Sequence, residues 1–147
     1  MRNVRNSAGA AVVERWAPVG DLTISQNDPT QIVPLSGIAA GPANEVAQTL
    51  TLTAVSSRPD LIPNPTVTYA SPQSTGVLLF TPVANVSGTA TIIITARDNG
   101  GTANGGQEVF SRSFTVTVQP VTHLPVVDTN TGLTVPVAGS AVVSYLN

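Results

Sequence analysis

Thr89-Ala-Thr-Ile-Ile-Ile-Thr-Ala-Arg-Asp98, Asn99-Gly-Gly-Thr-Ala-Asn-Gly-Gly106 and Ser111-Arg-Ser-Phe-Thr-Val-Thr-Val118 read together as a β-hairpin. Small or apolar residues alternate with polar ones in both arms, as a strand with one buried face requires. The Gly- and Asn-rich stretch between them supplies the conformational freedom of a reversal.

The same pattern extends upstream. Asp21–Ile24 alternates, and Gln26–Pro29 turns the chain. Gln31–Leu35 is a short strand that contains Pro34, which cannot donate to a ladder and so marks an edge. Gly37–Glu45 is a loop rich in Gly, Pro and Asn. Thr49–Val55 alternates, with Leu50, Leu52 and Ala54 inward. Three prolines in Arg58–Pro65 exclude helix or central strand. Thr66–Tyr69 is a strand, Ser71–Gly76 a turn, and Gly76–Pro82 a strand with Leu78 and Phe80 inward. About seven strands separated by turns predict an all-β fold, a seven-strand antiparallel β-sandwich. The expected core is Ile24, Leu35, Leu50, Leu52, Ala54, Val67, Tyr69, Leu78, Phe80, Ala90, Ile92, Ile94, Phe114, Val116 and Val118.

The expected organisation has three parts. Residues 1–18 form a leader or linker, either unpacked or with a short helical turn over Ser7–Ala17. Within it Trp16 either clasps the first strand or is exposed. Residues 19–120 form the sandwich, and residues 121–147 a linker followed by the start of a second β module. Alternation resumes in that last stretch at Asp128–Pro136 and Gly139–Ser144.

The chain has 41% hydrophobic, 4% aromatic and 10% charged residues, so aliphatic side chains must build the core and Thr, Ser, Asn and Gln most of the surface. A net charge of −2 and six basic residues provide no track for a phosphate backbone, which argues against nucleic acid. With no cysteine, disulfides, thiolate zinc sites and thiol catalysis are excluded. No apolar run approaches the roughly 20 residues of a membrane helix, so no membrane insertion is expected. Ala8–Val13 is too short for a signal peptide and is followed by Glu14 and Arg15, so secretion would be specified elsewhere.

Leu35–Ile38, Leu50–Ser57, Leu61–Pro65, Phe80–Pro82, Ala84–Thr91 and Asp98–Gly101 together resemble bacterial Ig-like or cadherin-like tandem repeats of large surface or secreted proteins. The resemblance covers roughly residues 19–125, and Asn130–Val135 resembles the opening of a related repeat. It implies an extracellular or cell-surface spacer or adhesion module, often calcium-assisted, whose partners are neighbouring repeats and another surface protein or glycan. Many such repeats end in Pro-Val-Asn-Asp-Ala-Pro. Here Pro120-Val-Thr-His-Leu-Pro125 puts Thr122 and His123 where the Asn-Asp pair would supply oxygen ligands.

Calcium takes six to eight oxygens, some from carboxylates. Asp98 and Asn99, at a strand end, are candidate calcium ligands if Asp28 or Asp60 approaches them at one pole. The competing reading is that these residues sit in turns because their side chains bond local backbone. Asp128-Thr-Asn-Thr-Gly132 lacks the remaining features of a calcium loop. His123 lies in a linker between prolines, and no Gly-x-Ser-x-Gly occurs, so no nucleophilic centre is legible. The Gly-rich Asn99–Gly106 lacks the lysine of a phosphate loop and is either a contact surface or a connector. Asn85-Val-Ser87 matches the N-glycosylation sequon.

The resemblance, with no catalytic constellation beside it, implies a non-enzymatic extracellular repeat that spaces or presents other domains. The alternatives are a ligand-binding β-sandwich module, for protein or carbohydrate, and an accessory domain of a secreted hydrolase. Against sugar binding, most of the aromatics read as core and not as an exposed platform.

Overall fold

The computed structural model describes residues 4–5, 11–12, 16–39, 48–100 and 109–122. It is all-β, with no helix among the described residues. Seven strands make two sheets: β3 (Leu22–Ser25), β4 (Gln31–Ser36), β5 (Leu50–Ser56), β6 (Thr66–Thr68), β7 (Thr75–Phe80), β8 (Gly88–Asp98) and β9 (Val109–Gln119). Two short strands precede them, β1 (Val4–Arg5) and β2 (Ala11–Val12), paired with each other. Ala11–Val12 is therefore extended where a helical turn over Ser7–Ala17 was one expectation. The run from Asp128 onward lies outside the described residues.

The expected hairpin is present. β8 and β9 pair antiparallel from Gly88↔Val118 to Arg97↔Val109. Their β-branched residues favour the pleated surface, and the period of two buries one face. Ala90, Ile92, Ile94 and Ala96 on β8 and Phe114, Val116 and Val118 on β9 all point into the core. Ile92-Ile-Ile94, an aggregation hazard if exposed, sits in a central strand between β9 and β5, with Ile92 and Ile94 fully buried. Pro34 lies on β4, which is indeed an edge strand.

One sheet has the order β3-β9-β8-β5 and the other β4-β7-β6. Every expected core residue belongs to the single buried cluster these sheets share or packs against it. That cluster also holds Trp16, Val33, Ile38, Leu61, Ile62 and Ala96. Leu61 and Ile62 show how the proline-rich segment contributes. It is barred from a ladder but closes one end of the core, with the Ile62 and Leu61 amides both bonded to the Arg58 carbonyl.

The sandwich is not wholly antiparallel, which corrects the expectation. β3 runs parallel to β9, with Leu22↔Val116 through Ser25↔Gln119 in register. Short turns force antiparallel pairing only between consecutive strands. β3 and β9 are separated by the other five, so nothing imposes that direction on them. The chain comes to β3 from Trp16, whose neighbour Ala17 donates to the Ser36 carbonyl (2.8 Å) at the far end of β4. It therefore runs alongside β9 in the same sense. Asp21 seals the join, its Oδ1 accepting the Thr115 amide at 2.7 Å on the stretch of β9 that β3 does not reach.

Candidate functional site

The length of β8 decides which polar residues can meet. Eleven strand residues separate its ends by roughly 30 Å at about 3.3 Å per residue. Asp98 closes β8 at the hairpin pole. Gly88 opens it at the other pole, where β3 and β9 end together.

At the hairpin pole, Asp98 is the buried charged residue of the described core margin, only 5% exposed. It lies on the inward face of β8, opposite Leu50. Its Oδ1 accepts the Gly100 amide at 3.0 Å, and Asn99 Oδ1 accepts the Thr49 amide at 2.8 Å. The first bond turns the start of the hairpin loop on itself, and the second fastens it to the residue before β5. Ser71 Oγ accepts the next amide, that of Leu50. An open pocket lined by Thr49, Thr51, Arg97, Asp98 and Asn99 lies over this corner. Nearby, the Arg112 guanidinium stands 5.4 Å from the Phe110 ring centroid, and Trp16 meets Phe110 edge-on.

At the opposite pole, Asp28 Oδ2 accepts the Ser25 amide at 2.8 Å within its own turn. Gln26 donates to the Gln119 carbonyl and takes the Val121 amide on its Oε1, binding the last strand to the first turn. Asn27 and Asn85 bond reciprocally between two turns. Asp60 pairs with Arg58, and both are well exposed. The hydrogen bond from Arg58, with a smaller coulombic contribution, holds the Asp60 carboxyl below its usual range and raises the Arg58 guanidinium. Ser57, just before this pair, donates to the Thr91 carbonyl near the Gly88 end of β8.

The four candidate calcium ligands are therefore divided. Asp98 and Asn99 share one pole, while Asp28 and Asp60 lie near the other. The length and direction of β8 hold Asp28 and Asp60 away from Asp98. Asp98 and Asp28 bond backbone amides of their own turns, as in the competing reading, whereas Asn99 takes the distant Thr49 amide and Asp60 holds a surface ion pair. Among the described residues no group of three or more His, Cys, Asp and Glu could hold a metal ion. His123 and most of the Gly-rich loop lie outside the described residues, as do Glu45, Glu108 and Asp128. The sequon residue Asn85 occupies an exposed turn with its carboxamide engaged by Asn27.

Two features of the hairpin pole were missed in the sequence. The Thr49 amide is a backbone donor and carries no side-chain signature. Arg112 did carry a signal, since it shares the inward parity of Phe110, Phe114 and Val116 on β9. Among the described residues no helix is long and apolar enough to cross a membrane. No family model, curated protein or solved structure matches this chain.

Proposed function

We propose that this domain is a non-enzymatic Ig-like or cadherin-like spacer, a load-bearing link in a larger extracellular protein. The observation that carries this reading is the parallel pairing of β3 with β9. A chain whose first and last sandwich strands run parallel comes in at one pole and leaves at the other. Here it comes in beside Trp16, Ser36 and Phe110 and leaves past Gln119 and Val121. Modules of that kind join head to tail into a rod, with Pro120 stiffening the exit.

Strand order supports the Ig-like assignment. β5-β8-β9 and β4-β7-β6 follow the C-F-G and B-E-D orders of constant-type Ig sandwiches, with the first strand moved to the C-F-G sheet. The surface fits a passive role. The outward face of β5, β8 and β9 is mostly Thr and Ser, such as the Thr95–Ser111 hydroxyl pair at 3.0 Å.

Tension along the rod pulls β3 and β9 in opposite directions along their lengths. Four register pairs are then loaded together in shear. Single-molecule pulling tests this, because the cysteine-free chain accepts handles at chosen positions. Pulling through Pro18→Cys and Thr122→Cys should need markedly higher force than pulling through Arg97→Cys and Val109→Cys. The latter are register partners, and force across them unzips the hairpin one pair at a time. Equal or lower force in the first geometry would overturn the load-bearing reading.

A further inference from the structure

We infer that Asn99 is a built site of self-modification, where the Gly100 amide nitrogen closes on the Asn99 side chain to form a succinimide that hydrolyses to aspartate and isoaspartate. The ring has five members, so its atoms all come from the adjacent residues Asn99 and Gly100, and glycine offers no side chain to hinder closure. Three further requirements of the reaction are met by the fold.

The first is a base for the attacking nitrogen. Asp98 Oδ1 already accepts the Gly100 N–H at 3.0 Å. That proton lies in the peptide plane, whereas the attacking orbital stands perpendicular to it, so one nitrogen can donate to Asp98 and attack Cγ. The second is a donor for the oxygen that becomes negative as Cγ turns tetrahedral. The Thr49 amide holds Asn99 Oδ1 at 2.8 Å, which is the arrangement of an oxyanion donor. The third is water for the second step, and the pocket bounded by Thr49, Thr51, Arg97, Asp98 and Asn99 is open to solvent.

The atoms balance without an external reagent other than water. The Gly100 nitrogen forms a bond to Cγ and gives its proton to Asp98. The Cγ–Nδ2 bond breaks, and the leaving amide takes that proton and departs as ammonia. Water then opens either carbonyl–nitrogen bond of the imide. The product carries a new negative charge at position 99. In the isoaspartyl form one extra carbon enters the backbone, which draws position 99 away from the Thr49 amide and loosens the hairpin loop from β5.

The sequence supplies its own control. Asn104-Gly-Gly106 repeats the Asn99-Gly-Gly101 tripeptide. Incubating the whole chain at neutral pH and mapping peptides by mass for loss of ammonia, and then for the one-dalton gain, compares the two asparagines in one sample. In the native protein Asn99 should convert at least about tenfold faster than Asn104, an advantage below the roughly 10²–10⁴-fold of a fully positioned general base. In concentrated urea the two rates should converge, and the rate at Asn99 should fall. Asp98→Asn keeps a carbonyl acceptor for Gly100 but removes the base, and should erase most of the native advantage of Asn99. Conversion of Asn99 no faster in the native chain than in urea would overturn the inference, since the two hydrogen bonds would then be protecting the side chain. An undiminished rate in a folded Asp98→Asn variant would overturn the role of Asp98. If that variant does not fold, the native-to-urea comparison decides alone.

Discussion

Asn27 and Asn85 hold each other across the far pole of the sandwich. Both have positive φ, 70° and 61°, and each carboxamide reaches the other residue. The Asn85 amide donates to Asn27 Oδ1 at 2.8 Å, and Asn27 Nδ2 donates to Asn85 Oδ1 at 3.3 Å. The pair joins the β3–β4 turn to the β7–β8 turn, tying one sheet to the other. Asparagine suits both demands, because it tolerates the left-handed region better than other side chains and bonds backbone nearby. Asn27→Ala loses both bonds and adds backbone strain, so it should cost about 2 kcal/mol. Asn27→Gly restores the backbone freedom only, and should cost about 1 kcal/mol. Urea unfolding with unchanged slope would measure the difference. Equal costs for the two variants would mean that the left-handed conformation adds nothing.

Trp16 is 1% exposed and meets Phe110 with ring centroids 5.0 Å apart at 84°. It lies within residues 1–18, which the sequence pattern assigns to a leader or linker, yet it fills the hairpin pole between β4 and β9. Trp16→Ala should cost about 3–5 kcal/mol. Trp16→Phe should cost far less, since among the described residues the indole nitrogen has no hydrogen-bond partner. Trp16 is the sole tryptophan, so its fluorescence is a direct check in the natural chain. Emission should be blue-shifted when folded and move red on unfolding. Water-like emission from the folded protein would show that Trp16 is outside the core.

The contrast between Trp16 and Ile92 shows what was legible in the sequence. Ile92, Ile94, Val116 and Val118 sit in strands whose period of two writes the buried face directly. Trp16, Ile38, Leu61 and Ile62 are buried from irregular segments, where no period exists and only the three-dimensional closure of the poles decides. The parallel β3 was hidden for a related reason. Turn residues report the direction of consecutive strands, while β3 and β9 meet through the whole intervening fold. At the sites, Asp and Asn advertised oxygen ligands but not their partners. Direction and length along β8 placed Asp98 and Asp28 at opposite poles, and only the topology contains that fact.

Calcium gives a direct check on that separation. A genuine site saturated at about 100 times its dissociation constant would add about 2.7 kcal/mol of stability. For a domain of this size that raises Tm by about 10 °C or more. With the candidate ligands split between the poles, melts of the natural chain in millimolar calcium and in chelator should superimpose. A rise of that order would require a ligand set beyond the described residues.

The Arg58–Asp60 pair sets an expectation for acid. The Asp60 carboxyl is held below its ordinary value by the Arg58 hydrogen bond first, with Coulomb attraction adding to it. A depressed carboxyl stabilises the fold above its unfolded pKa and loses that contribution as pH falls through the folded value. The window is therefore below about pH 4. Arg58 is raised, so its share is lost only above the arginine range. Both side chains are exposed, where water and salt screen the pair. Asp60→Asn should leave the urea midpoint at pH 7 almost unchanged, more so at high salt. A large loss at pH 7 would show that Asp60 does more than pair with Arg58.

Gly88 brings this surface pair against the backbone. Its φ is +143°, and a Cβ there would meet Arg58 Nη1 at 3.1 Å and Leu61 Cδ2 at 3.6 Å. Two costs are therefore mixed in Gly88→Ala, backbone strain and a close contact. The Arg58 end is flexible and largely exposed, so it can swing aside cheaply, whereas the backbone is fixed by the β8–β9 register at Gly88↔Val118. Strain should dominate, at about 1–3 kcal/mol. A double-mutant cycle separates the two, because Arg58→Ala removes the contact and leaves φ untouched. Gly88→Ala should cost nearly the same with or without Arg58. A cost that disappears in the Arg58→Ala background would assign it to the guanidinium contact, and with it the preference for glycine at this position.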